Sequence, residues 1–217
     1  MADETDRLPA EYLSPLAARV DEVLALYKYE ITPAIEAIDA AVGGYGGLFD
    51  PETTDSERRT AIDEVIAAGS PPEPPEKTTA PEVVLYVDGS SRGNPGPAGA
   101  GAVLQVADEP IAKLGRPVGS RTDNNIAEYA ALHLGVGALT NRCDPSFVEI
   151  RIDSMTVINA IWEDKDSHTP PTPYGSAITD ILSKLPTHEW THLADSDPNP
   201  ADARATVGAD IAALGPN

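Results

Sequence analysis

Glu82-Val83-Val84-Leu85-Tyr86-Val87-Asp88-Gly89-Ser90-Ser91-Arg92-Gly93-Asn94-Pro95-Gly96-Pro97 is the stretch whose reading decides the fold. Its first six residues are mostly β-branched or aromatic, so Glu82 to Val87 reads as a buried strand. The ten that follow hold Asp-Gly and Asn-Pro-Gly, both turn formers, which send the chain back on itself. Ala98 to Val106 is a second strand and Ile111 to Val118 a third, which together make an antiparallel meander. Asn124 to Thr140 reads as a helix, with Ala127, Ala130, Ala131, Leu134 and Ala138 small or apolar. Phe147 to Ile152 is a fourth strand and Ser154 to Trp162 a helix. After a proline-broken segment (Thr169-Pro170-Pro171-Thr172-Pro173) come a helix from Tyr174 to Leu185, a short strand from His188 to Leu193 and a last helix from Pro200 to Leu214. The order β-β-β-α-β-α-α-β-α predicts an α/β fold, a mixed five-stranded sheet with helices packed on its faces.

Upstream the period changes. Leu13, Leu16, Val20, Val23, Leu24 and Tyr27 recur at helical spacing, and Ile31, Ile35, Ile38 and Val42 continue the stripe past an expected break at Pro33. Glycines 43, 44, 46 and 47 around Tyr45 mark a turn, and Asp55 or Ser56 is expected to cap a shorter helix ending near Ala68. Prolines 71, 72, 74, 75 and 81 make a semi-rigid spacer. The expected division is therefore an acidic, all-α module over residues 1–68, a proline-rich linker over 69–81, and an α/β region over 82–217.

Composition narrows the function classes. No run approaches the ~20 apolar residues that span a bilayer. The acidic start lacks a secretion pattern, and a single cysteine, Cys143, fits a reducing cytoplasm. Fifteen Lys plus Arg against 35 Asp plus Glu leave a net charge of −20, spread over both halves. Such a balance opposes polyanion binding in dilute buffer. In concentrated salt the Debye length shrinks to ~3 Å, and the same carboxylates serve solubility. The composition therefore predicts a salt-adapted, cytoplasmic protein.

Four short motifs carry carboxylates at element ends: Asp88-Gly89-Ser90, Asn124-Asn125-Ile126-Ala127-Glu128, Asp153-Ser154 and Asn199-Pro200-Ala201-Asp202. Each alone reads as a turn or a helix cap. Taken together they place Asp88 and Asp153 at the ends of strands that can lie side by side. Glu128 and Asp202 are expected in the first turns of helices at the same edge. Four carboxylates gathered at one place repel one another, which is tolerable where cations bind, and Mg²⁺ prefers such oxygen ligands.

The string YVDGSSRGNPGPAGAGAVL resembles the opening of the type 1 ribonuclease H family, and NNIAEYAAL, IRIDSMTVINAI and NPADARA match its later motifs in order, over about residues 82–214. The resemblance implies the ribonuclease H fold and a nuclease that cuts the RNA strand of RNA/DNA hybrids, leaving 5′-phosphate and 3′-hydroxyl ends. It implies two Mg²⁺ or Mn²⁺ ions held by Asp88, Glu128, Asp153 and Asp202, with His192, ten residues before the last aspartate, in a flexible loop assisting proton transfer or product release. Substrate contacts would come from Gly89, Ser90, Gly93, Asn94, Gly96, Asn124 and Asn125. The basic helix and loop of many bacterial members has no counterpart between Trp162 and Leu185, Met155 stands where a polar residue is usual, and Asp195 and Asp197 replace proline-basic text. Residues 1–68 do not resemble the basic hybrid-binding domain of some members, so they are expected to contact protein or self-associate. A proofreading-type exonuclease is disfavoured by Ser90, where a glutamate is usual. A silent binding module on the same fold is the remaining alternative.

Overall fold

The computed structural model describes residues 12–44, 46–71, 77–80, 82–163, 174–194 and 196–215, and the side chains at 162 and 163 are not among them. Tyr45, the prolines at 72, 74, 75 and 81, the proline-broken segment with Lys165, and Asp195 lie outside the described residues.

Strands β1 (Glu82–Ser91), β2 (Gly96–Val106), β3 (Glu109–Thr122), β4 (Phe147–Ile152) and β5 (His188–His192) form one mixed sheet in the order β3-β2-β1-β4-β5. β1 pairs antiparallel with β2 and parallel with β4, and β4 pairs parallel with β5. The expected α/β architecture and element order therefore hold. The first and third strands run further than their apolar text, because pairing with β2 carries β1 on to Ser91 and β3 on to Thr122. Asp88 consequently lies inside a strand and not just after one.

Helices α4 (Asn124–Arg142), α5 (Met155–Glu163), α6 (Tyr174–Leu182) and α7 (Asp202–Ala212) complete the α/β region. α7 lies directly on β2, which is what Gly99 and Gly101 are for: a Cβ on them would fall 2.2 Å from the Ala209 nitrogen and 2.3 Å from the Ala201 oxygen. The core joins Leu85, Val87, Leu104, Leu132, Leu139, Ile150 and Ile178, all fully buried.

Helices α1 (Pro15–Leu26), α2 (Ile31–Ala41) and α3 (Asp55–Ala68) enclose a second cluster of Leu16, Val20, Leu24, Ile38, Leu48 and Ile62, which also takes in Ile211 of α7. Two local expectations are corrected. The helix breaks at Lys28 and Tyr29, which take φ of 51° and 62°, not at Pro33, which sits in the first turn of α2 where its missing N–H costs nothing. α3 is capped by Thr54 in a reciprocal box with Glu57, not by Asp55 or Ser56. The Gly115 N–H donates to the Tyr29 carbonyl (3.0 Å) and the Lys113 N–H to Glu30 (3.0 Å), so this segment covers the open edge of β3. Among the described residues no helix is long and apolar enough to cross a membrane.

Candidate active site

β1 and β4 run parallel and adjacent, with their ladder ending at Tyr86 opposite Arg151. Beyond that point β1 continues without its neighbour, and side chains take up its free backbone groups. The Gly89 N–H donates to Glu128 Oε2 (3.1 Å), and the Val87 carbonyl accepts from Asn199 Nδ2 (3.0 Å). Glu128 reaches β1 because α4 crosses it at Gly89, where a Cβ would fall 2.4 Å from the Glu128 nitrogen. Asp123, not Asn124, caps α4, accepting from the Asn125 N–H (2.8 Å), so Glu128 lies in the second turn and not the first. This places its carboxylate over the strand beside Asp88.

Carboxylate oxygens of Asp88, Glu128 and Asp153 lie within 4.8 Å of one another. Asp88 and Glu128 are buried, and Asp153 is exposed. Burial, with the charges of Asp153 and Asp202 beside it, pushes the Asp88 carboxyl up to about 7. Burial, with Asp153 and Asp88 nearby, pushes Glu128 up to about 9, although the Gly89 N–H and the Asn124 side chain pull the other way. Such shifts record buried carboxylates packed against one another. Asp88, Asp153, Asp197, Asn199 and Asp202 line one open cleft of about 530 Å³. Three of the four expected carboxylates thus converge within reach of one cation, and Asp202 stands in the same cleft wall. An all-oxygen anionic donor set of this kind fits a hard divalent ion.

The family model described as RNase H matches residues 80–186. Ribonuclease HI of Halobacterium salinarum is 30% identical over 172 residues, spanning 76% of this chain and 85% of that protein. The chain belongs to the ribonuclease H family. It is accordingly a ribonuclease H enzyme, with the fold described above. The crystal structure of RNase H1 from the halophilic archaeon Halobacterium salinarum superposes with a TM-score of 0.53 at 32% identity, covering 59% of this chain and 98% of that one. LC11-RNase H1, solved in complex with an RNA/DNA hybrid, gives a TM-score of 0.52 at 25% identity, covering 59% of this chain and 96% of that one. The alignment with the archaeal ribonuclease HI is longer than the α/β region and so extends upstream of Glu82.

On this ribonuclease H fold the remaining expected residues form a rim. Asn124 Oδ1 accepts from the Ser91 hydroxyl (3.1 Å) and the Asn124 N–H donates to Asn94 Oδ1 (3.4 Å), which ties the β1–β2 turn to the start of α4. Asn94 and Asn125 are exposed there, and Ser90 is half-buried. Gly93 takes a φ of +91°, and a Cβ on Gly96 would fall 2.1 Å from the Arg92 oxygen, so both have a conformational reason in the turn itself. His192 ends β5 opposite Ile152, in a strand and not in the flexible loop the resemblance implied, with Nε2 2.9 Å from the Asp153 carbonyl oxygen. Asn199 was not singled out by its sequence, where Asn-Pro reads only as a turn. The signal that would have found it is a short amide three residues before a candidate ligand.

Proposed function

We propose that this protein hydrolyses the RNA strand of RNA/DNA hybrids, endonucleolytically and with little sequence preference, leaving 5′-phosphate and 3′-hydroxyl ends. The observation that carries this reading is the convergence of Asp88, Glu128 and Asp153 within 4.8 Å, two of them buried, with Asp88 and Asp153 lining an open cleft. Asp88, Glu128, Asp153 and Asp202 would hold two Mg²⁺ or Mn²⁺ ions. Such ions, when bound, supply Lewis acidity toward a phosphodiester oxygen and toward water. The chain supplies the rest. Glu128 is steadied by the Gly89 N–H, and Asp88 by the strand that bears it. The Asp153 carbonyl can only accept, so His192 Nε2 carries the proton of that bond and Nδ1 is left as the ring nitrogen that takes up or passes on a proton. Gly89, Ser90, Gly93, Asn94, Gly96, Asn124 and Asn125 form the rim where backbone and amide groups meet the RNA, telling it from DNA by the 2′-hydroxyl. The hybrid bound by LC11-RNase H1 supports this substrate.

We further assign residues 1–68 as an acidic helical module, 69–81 as a linker and 82–217 as the catalytic region, in a cytoplasmic protein. The net charge of −20 and the Halobacterium relative support working conditions of high salt. The test is cleavage of a labelled hybrid in Mg²⁺ or Mn²⁺, at low and molar KCl, beside Asp88→Asn. The expected result is cuts confined to the RNA strand, abolished by EDTA and reduced roughly 10³-fold in the variant, as loss of several kcal/mol of transition-state stabilisation requires. A hybrid left intact under every condition would sink the nuclease reading in favour of a binding module.

A further inference from the structure

Asn199 stands between the strand that carries Asp88 and the helix that carries Asp202, and it is bonded to both. Its Nδ2 donates to the Val87 carbonyl at 3.0 Å and lies 3.4 Å from Asp88 Oδ1. Its Oδ1 accepts from the Ala201 N–H at 3.0 Å, one residue before α7 begins. The partners determine which way the amide faces. The Val87 carbonyl has no proton to give and the Ala201 N–H has no lone pair, so the nitrogen must meet β1 and the oxygen must meet α7. No aspartate could fill this place, since its second oxygen would face both the Val87 carbonyl and the Asp88 carboxylate.

The position explains why an amide is used. Past Tyr86 the ladder between β1 and β4 has ended, and Asn199 replaces the missing strand at the Val87 carbonyl. A lysine or arginine could donate the same bond, yet its charge would neutralise Asp88 and compete with any cation. A neutral amide holds the backbone next to Asp88 and leaves the carboxylate its charge. We propose that Asn199 is a positioning residue that pins β1 to the start of α7 and so sets the spacing of Asp88 and Asp202 across the cleft. This rests on the reading of those carboxylates as divalent-ion ligands.

The test uses the full chain and Mn²⁺ alone, without nucleic acid. Asn199→Ala removes both sides of the pin. Asn199→Ser keeps an oxygen for the Ala201 N–H but is too short to reach Val87, so α7 retains its start. Both variants should melt in EDTA within a few degrees of the parent. Both should bind Mn²⁺ about 10- to 100-fold more weakly by calorimetry, the usual cost of losing a partner of a metal ligand. On a hybrid they should lose kcat with KM unchanged. Parental Mn²⁺ affinity in Asn199→Ser would overturn the proposal, as would two variants whose only change is a lower melting temperature. Asp88→Asn separates the two readings. If it too leaves Mn²⁺ binding unchanged, the cleft is not the metal site and the underlying reading fails. If it abolishes binding while Asn199→Ser does not, only the pin fails.

Discussion

Two regions of this molecule bury charge, and they do it in opposite ways. Where the helical layer meets the sheet, Arg116 of β3 is 1% exposed. It is held on several sides: its Nη2 lies 3.4 Å from Asp21 of α1, its Nε donates to the Pro117 carbonyl, and its guanidinium stands 5.3 Å from the Tyr29 ring centroid. At the cleft, Asp88 and Glu128 are buried beside further carboxylates, and among the described residues no ion pair reaches either. At the joint the chain supplies the counter-charge, and the burial is structural. At the cleft no described residue supplies a counter-charge to Asp88 or Glu128, and the burial prepares those carboxylates for a cation. A buried ionisable group therefore identifies a site only after its partners within the chain have been counted.

The largest effects should come from substitutions that neutralise one charge in each region. Arg116→Met removes a buried guanidinium from beside Asp21 and is expected to cost about 2–3 kcal/mol, the lower range for a buried pair whose acid keeps some solvent. In EDTA, Glu128→Gln should do the reverse and raise stability by on the order of 1–3 kcal/mol, because the amide no longer has to be kept neutral against bulk pH. It should also abolish cleavage. Urea unfolding of the two variants in EDTA checks the signs. Destabilisation of similar size in both would mean the cleft carboxylates are satisfied within the chain, and the contrast would be lost.

Much of this was legible before any coordinates. The alternation of Val83, Leu85 and Val87 announces β1, and of the four carboxylates its motifs single out, Asp88, Asp153 and Asp202 line one cleft while Glu128 stands beside Asp88. What was illegible is nonlocal or offset by a residue. Capping depends on which side chain meets the N–H two or three positions on, so Thr54 and Asp123 are not distinguishable in sequence from the polar neighbours that follow them. Pro33 predicts the break between α1 and α2, yet it falls at Lys28 and Tyr29, the latter's carbonyl being claimed by Gly115 far along the chain. Arg116 and Asp21 are 95 residues apart, and no periodicity foretells their pairing. Asn199 reads as turn text until Val87 is seen beside it.

A smaller effect, but a more discriminating one, is the pH dependence of the metal-free protein. A carboxylate whose folded pKa is raised adds stability at low pH that is lost as pH rises towards the folded value. For Asp88 that loss is complete near 7, and for Glu128 near 9. His133, held down to about 4 mainly by burial, works the other way, but only below its ordinary value near 6.5. Above about pH 7.5 the Asp88 contribution is largely spent and Glu128 dominates among the described residues, so stability in EDTA should fall by roughly 1.4 kcal/mol per pH unit towards pH 9. Millimolar Mg²⁺ should flatten the slope, since cation and proton compete for the same oxygens. A slope unchanged by Mg²⁺, or already absent in EDTA, would remove the cleft from the comparison.

The smallest effect separates surface from interior at the joint itself. Glu30 lies 2.6 Å from Arg142, both partly exposed, and also accepts the Lys113 N–H. Glu30→Gln keeps an acceptor for that N–H and removes only the charge, so it should cost no more than about 1 kcal/mol at low salt. Molar KCl shortens the Debye length to ~3 Å and should erase this cost, because solvent ions reach both partners. The Arg116→Met cost should survive the same salt, since water and ions do not reach a guanidinium that is stacked on Tyr29 and closed in by α1. Melting both variants in 0.1 M and 3 M KCl distinguishes the cases. If the two costs decay together, Arg116 is open to solvent, and the helical layer is a loose cover; if only Glu30 responds, the layer is part of the wall on which α7, and with it Asp202, is mounted.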